Sequence, residues 1–134
     1  MKTTSTIARY LLGLIFLVFG LNGFLNFIHQ PPPANPVAIQ FLVAVSTSHY
    51  IAVVFVVQII GGVLLLAGRF VPLGLAVLAP VLANILNYHL TMDPGGIGLG
   101  LITAILWVVA LLPYRSSFAR IFEQRPPQKT IAVL

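Results

Sequence analysis

Four long apolar stretches divide the chain, and every Lys and Arg falls in alternate connections between them. Lys2 and Arg9 precede or open the first stretch, and Arg69 joins the second to the third. Arg115, Arg120, Arg125 and Lys129 follow the fourth, while the remaining two connections carry no Lys or Arg. Cytoplasmic loops collect Lys and Arg, so this alternation predicts an all-α membrane protein. The expected architecture is a four-transmembrane-helix bundle in a plasma (inner) membrane, with both termini cytoplasmic.

Composition excludes the main competitors. The chain is 59% hydrophobic and 7% charged, with a mean hydropathy of +1.05. Soluble domains carry about 25% charged residues, so lipid must serve as solvent. A net charge of +5 spread along cytoplasmic edges reads as a topology signal and an attraction to anionic lipid heads, not as a nucleic-acid surface. The chain has no cysteine, which removes disulfides, thiol relays and thiolate metal sites. Lys2 and Arg9 followed by an apolar run imitate a signal peptide. The run continues past Phe24 without a small-x-small site, so an uncleaved first helix is expected.

The spans are expected over residues 9–28, 49–67, 72–90 and 97–114, a single domain of residues 1–114 followed by a basic cytoplasmic tail of 115–134. Pro31, Pro32 and Pro33 stop the first helix. Asn35-Pro36 is a cap followed by a first-turn proline. It opens a short apolar helix over 37–45, too short to span, lying on or dipping into the outer surface as a lid or as a packing element. Gly68-Arg69-Phe70 makes a tight hairpin, and Pro80 is expected to kink the third helix. Order is expected to end at Pro126-Pro127.

Polar side chains inside a membrane helix usually face protein. At about 100° per residue, Asn22, Asn26 and His29 share one face of the first helix, within about 60° of arc. Asn84, Asn87, Tyr88 and Thr91 share a face of the third, at the same outer level, and Gln58 sits near the midplane of the second. Their convergence predicts an outer-half polar cleft with an apolar floor. Neutral amides and imidazole suit a neutral headgroup such as a quinone ring or a small carbonyl compound. The same asparagines also suit plain interhelical hydrogen bonding. His29, His49 and His89 fall at outer helix ends without helical pairing, so no metal site is expected among them. Asp93 and Glu123 are expected on opposite membrane sides, which leaves no carboxylate pair for acid–base work.

Residues 9–16 (Arg-Tyr-Leu-Leu-Gly-Leu-Ile-Phe), 61–70 (Gly-Gly-Val-Leu-Leu-Leu-Ala-Gly-Arg-Phe) and 78–81 leading into 84–89 (Asn-Ile-Leu-Asn-Tyr-His) together resemble the DoxX family of small four-helix membrane proteins. The resemblance covers residues 9–113. Members often carry an acid three positions before the glycine pair, where this chain has Gln58. The family takes its name from a subunit of an archaeal thiosulfate–quinone oxidoreductase, and some relatives sit in membrane oxidoreductase complexes. The resemblance therefore implies an accessory redox component, with a quinone or similar lipid as ligand and a membrane oxidoreductase subunit as partner. The alternative is a non-catalytic assembly factor that grips partner helices through small residues, Gly13 and Gly20 on the first helix and Gly96, Gly100 and Ala104 on the fourth. Four helices of this size bury little, which leaves a homodimer open.

Overall fold

The computed structural model describes residues 2–124, and its secondary structure is helical throughout. The α-helices are α1 (Lys2–Leu25), α2 (Pro36–Thr47), α3 (Ile51–Ala67), α4 (Val71–Thr91), α5 (Ile97–Leu111) and α6 (Arg115–Ala119), with 3-10 turns at Pro94–Gly96, Leu112–Tyr114 and Arg120–Phe122. Arg125, Lys129 and the expected loose end of the tail lie outside the described residues. By length and composition, α1, α4 and the helical stretch Pro94–Phe122 can each cross a membrane. The α2–α3 pair qualifies as a fourth span only if its 81° bend is counted within one crossing.

Each boundary has a local cause. The first helix starts seven residues earlier than expected, and Thr6 satisfies its hydroxyl on the carbonyl of Lys2 at 2.9 Å. It also ends earlier, at Leu25, because Asn26 turns left-handed with φ 50°. Asparagine tolerates that region better than most residues, so it ends helices as well as lining them. The side chain of Asn35 caps α2 by accepting from the Val37 amide at 3.0 Å, with Pro36 in the first turn. Gly68, at φ 66°, closes α3, and Phe70, also left-handed at φ 55°, opens α4. Helix α4 runs unbroken through Pro80.

Helices α1, α3, α4 and α5 pack in a ring, each touching two neighbours, with the most extensive contact between α1 and α3. The core is built from Leu12 and Phe16 of α1, Leu65 of α3, Leu75, Leu78 and Leu82 of α4 and Ala110 of α5. Two adjacent glycines let α3 sit between its neighbours. A methyl on Gly62 would come within 2.8 Å of both the Gly13 carbonyl oxygen and the Leu17 nitrogen of α1, and one on Gly61 would collide with Leu78 of α4.

Neighbours in the ring run antiparallel, which gathers Arg9, Arg69 and Arg115 at one end of the bundle. Arg9 does more there than mark an end. It is buried, donates to the carbonyl of Leu65 in the last turn of α3, and stacks 4.2 Å above the Tyr10 ring. A cation at a helix C-terminus satisfies an orphan carbonyl and the dipole together. One turn in from that end, Trp107 of α5 donates its indole N–H to the Leu75 carbonyl of α4 at 3.0 Å. That carbonyl lies one residue before Ala76, whose own helical donor is missing because Pro80 has no N–H.

Candidate functional site: a cavity at the far end of the bundle

The end away from the arginines holds a cavity of about 1040 Å³ lined by residues of α1, α3, α4 and α5. Its walls are largely apolar, with Ile15, Phe16 and Phe19 from α1, Phe55 from α3, Ile85 from α4 and Leu99 from α5. Pro31, Pro32 and Pro33 of the α1–α2 loop form its rim. The loop is held there by Asn22, whose side-chain amide brackets one backbone unit. Its Oδ1 accepts from the Ile28 amide at 2.5 Å and its Nδ2 donates to the Ile28 carbonyl at 3.2 Å.

Gln58 lies about 10 Å along α3 from Ile51, at about 1.5 Å rise per residue, and lines the cavity. The residue is only 6% exposed, and its Oε1 has no hydrogen-bond partner among the described residues. A buried amide oxygen left unpaired costs about 1–3 kcal/mol, so this atom stands ready for a donor. Gly20 of α1 admits the Gln58 side chain, since a methyl there would sit 3.0 Å from its Cβ.

His89 also lines the cavity. Its Nδ1 lies 2.9 Å from the Asp93 carbonyl and 3.8 Å from that residue's carboxylate. A carbonyl can only accept, so Nδ1 carries a proton, which leaves Nε2 to face a ligand. Gly96 is glycine here because a methyl would collide with the imidazole. The hydroxyl of Thr103 is turned back onto Leu99 at 2.8 Å. His49 and Asp93 line the cavity as well, and the assembled groups can orient a polar headgroup against largely apolar walls.

Of the side chains expected to converge, Asn22, Asn26 and Gln58 line the cavity. Asn22 is spent on the loop, and Asn26 lies beyond the helix that was expected to carry it. His29 is exposed outside the cavity, because α1 ends before it and the shared face from Asn22 to His29 never forms. Asn84 and Asn87 are a correction of larger consequence, for both lie on the exposed face of α4 and neither lines the cavity. Asn84 donates to its own helix, at the Pro80 carbonyl, 2.9 Å away. Tyr88 is half-buried between Phe41 of α2, 6.0 Å away, and His89, 5.1 Å away. The convergence of four asparagines does not occur. The side of α4 that meets the cavity carries Ile85 and His89 instead.

The small residues expected to grip a partner are engaged within the chain. Gly13 faces Gly62, Leu65 and Leu66 of α3, Gly20 faces Phe55, Gln58 and Ile59, and Gly100 faces Ile85 and Leu86 of α4. No family model, curated protein or solved structure matches this chain.

Proposed function

We propose that the chain is a DoxX-like integral membrane protein of four spans, with α2 lying along the outer surface at its 81° bend from α3. In this reading it holds the headgroup of a quinone or similar lipid in the outer-half cavity, as an accessory component beside a membrane oxidoreductase. One observation carries the proposal: the Oε1 of Gln58 is buried, unpaired and set into the wall of a large apolar cavity. Ligand sites combine this kind of apolar enclosure with a few placed polar groups. Gln58 and His89 supply those groups, and the aromatic wall of Phe16, Phe19 and Phe55 suits a flat ring. The faces that would serve an assembly factor are occupied by the protein's own helices, so the ligand-holding reading is preferred.

The test is mass spectrometry of protein purified in mild detergent, together with thermal unfolding in the presence of added ubiquinone and menaquinone. Retained quinone or lipid, and a rise in the unfolding temperature that is lost in Gln58→Leu, supports the proposal. A wild-type protein that retains nothing, and whose unfolding temperature ignores both quinones, overturns it.

A further inference from the structure

Helix α4 turns two faces in opposite directions. Val71, Gly74, Leu75, Leu78, Val81 and Leu82 are buried in the bundle. On the other side Leu73, Ala76, Pro80, Ala83, Asn87 and Leu90 are all exposed. Their spacing alternates three and four residues, as it does on the exposed row Val53, Val56, Ile60 and Val63 of α3, so the composition of the row and not its spacing sets it apart. Ser117, Phe118 and Ile121 flank its basic end, sharing a shallow pocket with Leu73 and Ala76, and the rest of the row stays exposed.

Two properties of this seam specify its occupant. Its middle is small, with Ala76 and Ala83 separated by a proline, so that a second helix can approach closely. Its outer half carries Asn87, about 24 Å along the helix from Val71 at about 1.5 Å per residue. The Asn87 side chain has no hydrogen bond to any described residue; the Thr91 hydroxyl donates to its backbone carbonyl, at 2.7 Å. In hydrocarbon an exposed amide has no water to bond. A primary amide is both donor and acceptor, so its natural complement is another primary amide. Copies inserted by one charge pattern share one orientation, which makes their α4 helices parallel. A two-fold axis along the membrane normal then sets each seam residue opposite its own counterpart.

We propose that this face of α4 is the interface of a parallel homodimer, in which Asn87 pairs with Asn87 of a second copy and fixes the register. The inference rests on the membrane placement proposed above and is independent of what the cavity holds. An asparagine at one such seam position sets register and oligomeric state in paired helices.

The absence of native cysteine makes the test direct. Single variants of the full-length chain, Ala83→Cys and Leu90→Cys, are oxidised in native membranes beside Val53→Cys and Ile105→Cys, which report exposed faces of α3 and α5. Disulfide-linked product of twice the chain mass should form several-fold faster at Ala83 and Leu90 than at the two reference positions. Asn87→Leu should weaken dimerisation by about 3- to 20-fold in lipid-dilution energy transfer, the range of single interhelical polar bonds. Equal crosslinking at all four positions, a product containing a different protein, or a dimer undiminished by Asn87→Leu overturns the proposal.

Discussion

Placing a methyl group on Gly62 should force α1 and α3 apart. In Gly62→Ala the new carbon would lie 2.8 Å from the Gly13 carbonyl oxygen and from the Leu17 nitrogen. It therefore falls 0.6 Å short of the 3.4 Å at which ordinary contact begins. Both obstacles are backbone atoms, so no rotamer change relieves the clash and α1 must retreat as a unit. Overpacking of this kind costs about 1–3 kcal/mol. Against it stands the gain of replacing a helical glycine by alanine, about 0.5–1 kcal/mol. Gly98 of α5 supplies the reference, because its added methyl meets nothing within 4 Å. Unfolding in mixed detergent–SDS micelles should therefore rank Gly98→Ala above Gly62→Ala by about 1–3 kcal/mol. Equal stabilities, within about 0.5 kcal/mol, would refute the close approach of the two helices, given that distant substitutions add within that margin.

Other contacts give separate outcomes. Arg9→Leu should destabilise the bundle by about 1.5–3 kcal/mol in the same titration, the usual worth of a hydrogen bond to a charged group; an unchanged midpoint would show that Arg9 serves only as a topology signal. Trp107→Phe should lose about 0.5–1.5 kcal/mol with its bond to Leu75, and a neutral result would remove that bond from the account of α4–α5 packing. Asn22→Ala breaks both hydrogen bonds to Ile28, so limited proteolysis between residues 28 and 35 should accelerate several-fold, while an unchanged rate would mean the loop is held by other means.

The helices were legible because apolar runs of this length leave few alternatives, and Asn35-Pro36 and Gly68 carry capping chemistry in their own side chains or lack of one. The orientation of α4 was not legible. Its buried face (Gly74, Leu75, Leu78, Leu82) and its exposed face (Leu73, Ala76, Pro80, Ala83) are similarly apolar, so periodicity cannot say which turns inward. The polar residues were the only asymmetry, and treating them as inward markers placed Asn84 and Asn87 on the wrong side. Packing decided instead, since Leu78 fits over Gly61 and Gly74 faces Leu64 and Leu65 of α3. Gln58 was placed correctly for a related reason: Gly61 and Gly62 lie one turn along from it and mark the same face of α3. Arg9 was legible as a charge but not as a clamp, because its partner Leu65 is 56 residues away.

The cavity and the glycine contact are two ends of one arrangement along α3. In the basic half, Gly61 and Gly62 draw α3 against α4 and α1 with almost no side chain between them. One turn toward the far end, Gln58 and then Phe55 stand against Gly20 and Gly23 of α1, where the approach is still close, a methyl on Gly20 lying 3.0 Å from the Phe55 carbonyl oxygen. The α1–α3 pair therefore stays in contact beside the cavity, and Phe55 and Gln58, seated on those glycines, also line it. They present to it an aromatic ring and an amide oxygen unpaired among the described residues. The shape of the cavity therefore depends on residues that do not line it. A shift of α1 forced at Gly62 should change affinity for the proposed ligand at Gln58 as well as stability, without altering any side chain proposed to touch it. Loss of stability in Gly62→Ala with fully retained ligand affinity would separate the two ends and show that the opening is set locally.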